Sequence, residues 1–158
     1  LLDGFSGEVP GSVTAYVNSM EGSDYDAAAQ VWGDIWFGGP AYYSAQKRSD
    51  DGLKTYLYFF ERAIPSEKQT IGATHALELA YIFGSFFPFV ARDDWDDELS
   101  EIMLNDWTEF AKTGVPNDSW PEFSSEEPIA RIYGDSVYES KLKDYKVFEA
   151  LADYFSRF

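Results

Sequence analysis

Cysteine is missing altogether and histidine occurs once in 158 residues. Without cysteine there is no disulfide and no thiolate nucleophile, and one imidazole excludes every zinc site that needs two or more. Basic residues are scarce as well: 12 Lys and Arg stand against 28 Asp and Glu, a net charge of −16. Such a field repels phosphate backbones and anionic headgroups, so nucleic acid is excluded as an expected partner. No apolar run reaches the length of a membrane span; the longest, Ala80 to Ala91, is interrupted by Gly84 and Pro88. No motif implies a cofactor or a metal. The start, Leu1-Leu2-Asp3-Gly4, lacks both Met and a basic-then-apolar leader, which reads as a processed, trimmed or cut N-terminus. The compartment stays open, with an extracellular or periplasmic location slightly favoured over a cytoplasmic one.

What is present is apolar (45%) and aromatic (18%) enough to exclude disorder, and the length is that of one domain, read as a single segment over 1–158. Residues 1–24 are rich in Gly, Ser and Pro, with room for one short helix around Ser12 to Ser19. Asp24 opens a helix through Val31 and Ile35 toward Ala45, which Gly38-Gly39-Pro40 bends or splits. Leu53 to Ala63 carries the pattern of a strand buried on both faces, stopped by Pro65. His75 to Phe83 reads as a short helical turn, and Asp93 to Gly114 as an amphipathic helix with acids at its positive end. Ile129 to Tyr133 is a second strand, and Leu142 to Phe158 a final helix whose apolar face is Tyr145, Phe148, Leu151, Ala152 and Phe155. Two buried-type strands cannot make a stable sheet alone, so they are expected to belong to a larger one.

His75 is the residue best placed for chemistry, in a loop directly after a buried strand, where α/β sheets gather their reacting groups. Position alone leaves two readings open, a general base and a hydrogen-bonded structural histidine. Glu78, one helical turn on, can orient the loop or simply start a helix. Tyr81, Phe83, Phe86, Phe87 and Phe89 can line an apolar pocket, or be core. Ser44-x-x-Lys47 and Lys112-Thr113-Gly114 match β-lactamase elements, but no S-x-N or Y-x-N lies between them, and this K-T-G ends a helix where such a site needs a strand. Asp93 to Glu98 lacks the alternation of a calcium loop and reads as a solvated helix start. Asn117-Asp118-Ser119 is a formal glycosylation acceptor.

The stretch Ala73-Thr74-His75-Ala76-Leu77-Glu78-Leu79-Ala80-Tyr81-Ile82-Phe83-Gly84 resembles the histidine segment of type-B carboxylesterases, the cholinesterase-like branch of the α/β hydrolases. Trp107-Thr108-Glu109-Phe110-Ala111-Lys112-Thr113-Gly114-Val115-Pro116-Asn117, followed by Trp120-Pro121, is similar to that family's helix ending before a Trp-Pro pair. Gly33-Asp34-Ile35-Trp36-Phe37 through Ala45 resembles the helical segment before the histidine strand, and Thr55 to Phe60 resembles the strand itself. Ala80 departs from the pattern, standing where proline is common.

The resemblance implies an α/β chain, the C-terminal part of an α/β-hydrolase fold with the last strands of the sheet and their flanking helices, incomplete on its own. It implies carboxylic ester hydrolysis through a serine acyl-enzyme, with His75 as the catalytic general base, a small-molecule ester as substrate, and the N-terminal portion of the same hydrolase as the missing partner. The triad order in this fold is Ser, acid, His, so nucleophile and acid are expected upstream. Gly4-Phe5-Ser6-Gly7-Glu8 fails the G-x-S-x-G elbow at its fifth position, and the resemblance implies an acid farther upstream than the 74 residues before His75, so Asp24, Asp26 and Asp34 are not assigned that role. This chain alone is therefore expected to be inactive. The rival reading is a non-catalytic, cholinesterase-like adhesion module, or an inactive fragment.

Overall fold

The computed structural model describes residues 11–19, 24–69, 72–142 and 145–157. The described residues fall into two compact units, one drawn from Leu1–Thr55, Phe123–Pro128 and Lys141–Phe158, the other from Tyr56–Glu122 and Ile129–Ser140. The Ser6 elbow lies outside the described residues.

The first unit is helical. Helix α1 covers Gly11–Ser19 and α2 Asp24–Gly33; a π-helical segment, Asp34–Gly38, then leads straight into α3, Gly39–Asp50. Next to Gly38-Gly39-Pro40, where the sequence suggests a bend or a split, the α-helix gives way to this wider turn without leaving helical structure. Proline has no N–H to give and its ring crowds the preceding turn. The wider turn absorbs it, with Gly39 donating its N–H to the Asp34 carbonyl five residues back. The two glycines have a second use. A Cβ on Gly38 would lie 2.5 Å from Phe148 Cε1, and one on Gly39 2.9 Å from Leu151 Cβ. The last helix, α6 (Tyr145–Phe155), therefore packs directly on bare backbone. Its buried residues are Val147, Phe148, Leu151, Ala152 and Tyr154, so the apolar face is rotated from the expected one, and Tyr145 and Phe155 are only half-buried. Tyr42, 1% exposed, stands edge-on to Phe123 at 5.5 Å in the same core. Burial, with Glu149 and Tyr145 nearby, pushes its phenol up to about 12, and its hydroxyl has no hydrogen-bond partner among the described residues.

The second unit holds the sheet. Strands β1 (Tyr58–Phe60), β2 (Ile129–Tyr133) and β3 (Val137–Lys141) lie in the order β1-β2-β3. β1 and β2 run parallel with Tyr58 opposite Arg131 and Phe60 opposite Tyr133. The short link from Gly134 to Ser136, closed by the Gly134 N–H on the Ser136 carbonyl, returns β3 antiparallel beside β2. The sequence reading of Leu53 to Ala63 as a strand buried on both faces needs correction. The strand proper is three residues long, Leu53 and Lys54 are exposed, and Tyr58 and Phe59 are 36% and 39% exposed. Among the described residues β1 is an edge strand with a neighbour on one side only, so its other backbone edge is unpaired there. Backbone pairing does extend beyond it, through Arg131 N–H to the Leu57 carbonyl and Glu61 N–H to the Tyr133 carbonyl.

Two helices pack on this sheet. Helix α4 is short (Glu78–Ile82) and α5 long (Asp94–Thr113). The boundaries of α5 follow from its sequence: Asp93 and Asp96 form a reciprocal capping box, and Gly114, at φ +76°, ends it in the left-handed region. Leu99 and Met103, both 0% exposed, meet Tyr81, Ile82, Trp120 and Tyr133 in one cluster.

Candidate active site

The chain leaves β1 through the buried Arg62, and Pro65 bars further pairing. A clamp then narrows the loop: the Gln69 amide donates to the Gly72 carbonyl at 2.8 Å and accepts the Gly72 N–H at 2.9 Å. Next comes a tight turn, Thr74 to Leu77, closed by the Leu77 N–H on the Thr74 carbonyl, with His75 and Ala76 as its central residues. His75 is exposed. Ala76 has φ +64°, the only non-glycine residue with positive φ among those described. A type II turn requires a left-handed residue at this third position, which costs a side-chain-bearing residue about 1–2 kcal/mol.

Helix α4 begins directly after, with Glu78 in its first turn. Burial raises the Tyr58 phenol, and the Glu78 charge adds to that shift. The helix closes in a Schellman motif: the Ser85 N–H reaches the Ala80 carbonyl, the Gly84 N–H reaches that of Tyr81, and Gly84 sits at φ +58°.

The five aromatic candidates separate. Tyr81 is buried core, Phe86 stands edge-on to it at 4.9 Å, and Phe83 and Phe87 are 71% and 65% exposed. These four line an open, mainly apolar cavity of about 460 Å³ whose wall also includes Ala76, the neighbour of His75. Phe89 is outside the lining, stacked on Phe87 at 5.4 Å.

Two buried ion networks went unread in the sequence. In the first, Arg62 donates through Nε to Asp96 Oδ1 at 2.7 Å, through Nη2 to Asp93 at 2.8 Å and through Nη1 to Asp135 at 2.6 Å. Tyr81 donates its hydroxyl to the same Asp96 Oδ1 at 2.8 Å. Asp96 is 0% exposed, so the acidic run at the head of α5 is not wholly solvated, as its sequence suggested. Burial pushes its carboxyl up, but the bonds from Arg62, the Asp93 backbone and Tyr81 outweigh this and hold it below the ordinary value. In the second network, Asp106 accepts the Tyr133 hydroxyl at 2.6 Å and the Asn117 amide, and lies 3.3 Å from Arg131 Nε as an ion pair. Asn117 Oδ1 also accepts the backbone N–H groups of Ser119 and Trp120 at 2.8 and 3.0 Å. The formal glycosylation acceptor is thus a structural staple, its amide nitrogen committed to a buried carboxylate. Neither network had a signal in sequence, since partners 34 and 27 residues apart share no local pattern.

The other candidates are in structural places. Asp34 is buried in the helical unit and accepts the Tyr16 hydroxyl at 2.5 Å. The side chains of Asp24 and Asp26 lie outside the description. Ser44 and Lys47 are on α3, and Lys112-Thr113-Gly114 is the end of α5, where Lys112 pairs with Glu109 at 3.0 Å. Among the described residues no group of three His, Cys, Asp or Glu is arranged to hold a metal, and no helix is long and apolar enough to cross a membrane.

Comparison with known proteins places these elements. Carboxylesterase 1C of Mus musculus is 26% identical over 149 residues, 88% of this chain and 27% of that protein. Carboxylesterase 1D of Mus musculus is 30% identical over 132 residues, 77% of this chain and 23% of that protein. The crystal structure of a Geobacillus stearothermophilus carboxylesterase superposes with a TM-score of 0.74 at 22% identity, over 92% of this chain and 32% of that one. The chain thus spans about a quarter of the length of the curated relatives it matches. Its mixed sheet and flanking helices are part of an α/β-hydrolase fold. Residues 13–148 match the profile of the carboxylesterase family, and the chain belongs to that family.

Proposed function

We propose that this chain is the C-terminal part of a serine esterase and supplies its general base, His75, to an assembled active site that hydrolyses carboxylic esters. The observation that carries this reading is the exposed place of the single histidine, on a tight turn between an edge strand and a short helix, inside the stretch that matches the carboxylesterase family. In the assembled site, the neutral imidazole takes the proton of a serine hydroxyl as its oxygen attacks the ester carbonyl. The imidazolium then gives that proton to the departing alkoxide, leaving an acyl-serine. A water, deprotonated by the same imidazole, releases the acid and restores the serine. Serine and acid come from the N-terminal portion of the same hydrolase, whose strands complete the sheet. The unpaired edge of β1, with Tyr58 and Phe59 exposed, is the place where the sheet can continue. The cavity beside Ala76 is apolar and suits the hydrocarbon part of an ester.

The test is turnover of a short-chain aryl ester by the chain alone and by the chain combined with an N-terminal portion carrying a G-x-S-x-G elbow. The expected result is hydrolysis by the combination and background by the chain alone. Turnover by the chain alone that disappears in Ser6→Ala would overturn this reading.

A further inference from the structure

We infer that Tyr81 and Arg62, joined through the buried Asp96, are positioning residues for His75, an inference that rests on His75 being the general base. The segment carrying His75 is tied at both ends to one oxygen atom. Arg62, where the chain leaves β1, and Tyr81, on α4, donate to Asp96 Oδ1 at 2.7 and 2.8 Å. Asp96 is itself fixed, fully buried within the capping box at the head of α5, its Oδ2 accepting the Asp93 N–H at 2.7 Å. Tyr81 is held a second time, because its carbonyl accepts the Ser100 hydroxyl at 2.8 Å. Helix α4 is thereby fastened to α5 at two points on a single residue.

The turn between these anchors needs such fastening. His75 is exposed, so burial does not set its direction. Ala76 holds φ +64°, a conformation a side-chain-bearing residue keeps only where its surroundings over-determine it. The Leu77 N–H on the Thr74 carbonyl and the Leu79 N–H on the Ala76 carbonyl are the local bonds that shape it, and both belong to the start of α4. Loosening α4 from Asp96 therefore releases the turn, and with it the angle at which the imidazole meets a serine. Reaction rates are steep in that angle, while substrate affinity is not.

Tyr81→Phe removes the hydroxyl and keeps the ring, which packs on Phe60 and Phe86 at 5.1 and 4.9 Å. In hydrogen exchange on the full chain, the amides of Leu77, Leu79 and Ala80 should exchange about tenfold faster or more, the scale of a bond to a charged group. Those of α6 should be unchanged. In the assembled esterase, kcat should fall about tenfold or more with KM held within about twofold. Ser100→Ala, which removes only the second fastening, should shift both readouts the same way by less, and it serves where Tyr81→Phe fails to fold. Unchanged exchange at the turn, or unchanged kcat in an enzyme that His75→Ala inactivates, would overturn the inference and leave the role of His75 standing. Activity surviving His75→Ala would overturn both.

Discussion

Asp96→Asn removes the charge on which the Arg62 and Tyr81 junction converges. Oδ1 accepts from Arg62 and Tyr81, and Oδ2 accepts the Asp93 N–H. Asparagine has one acceptor oxygen for these three donors. With that oxygen toward Arg62 and Tyr81, its NH₂ faces the Asp93 N–H and the capping box is lost. Removing one partner from a buried ion pair costs about 3–5 kcal/mol. Arg62 keeps Asp93 and Asp135, whose side chains are 50% and 89% exposed, so the lower end, about 3 kcal/mol, is expected. A second signature is independent of the size of that loss. The Asp96 carboxyl is held below its ordinary value of 3.8, so the folded chain binds this proton less readily than the unfolded one. Its contribution is complete above that value and is lost as pH falls through it toward the depressed one. Urea titrations followed by tryptophan fluorescence, repeated between roughly pH 5 and 3, should show the parent losing stability on acidification and Asp96→Asn losing less. A cost under about 1 kcal/mol at pH 7, or identical acid slopes, would refute the assignment of Asp96 as the charged centre of this junction.

Three further outcomes follow from the same packing. Gly39→Ala should cost about 1–3 kcal/mol in chemical denaturation, since its Cβ would meet the Leu151 Cβ at 2.9 Å and α6 must shift. Tyr42→Phe should leave stability unchanged or raise it by up to about 1 kcal/mol, because it removes a buried hydroxyl with no partner among the described residues. Asn117→Ala should cost about 1–3 kcal/mol, by leaving part of Asp106 and the turn at Ser119 unsatisfied, and thermal unfolding reads it directly.

Those elements whose causes are local could be read from the sequence. The ends of α5 were marked by an aspartate pair and a glycine, and Ile129 to Tyr133 by its run of apolar residues. The place of His75, between a strand and a short helix, was legible for the same reason. β3 was missed because Tyr138, Glu139 and Lys141 are exposed and leave no apolar alternation to read. A helix reaching Ala45 past Gly38-Gly39-Pro40 was legible, but not the packing role of the two glycines, which answer to Phe148 and Leu151 more than a hundred residues away. Arg62 and Asp96 stood unread for a related reason: a charge in an acidic run looks solvated until its distant partner is known. The positive φ of Ala76 had no signal either, since alanine carries none of the preference for the left-handed region that glycine or asparagine would have shown.

The most direct test of the account is the rate of ester hydrolysis by the assembled enzyme carrying His75→Ala. Loss of a triad base should lower kcat by on the order of a thousandfold or more while KM stays within a few-fold, with the residual rate supplied by binding and the oxyanion hole. A kcat within about tenfold of the parent would contradict it and make His75 a structural residue.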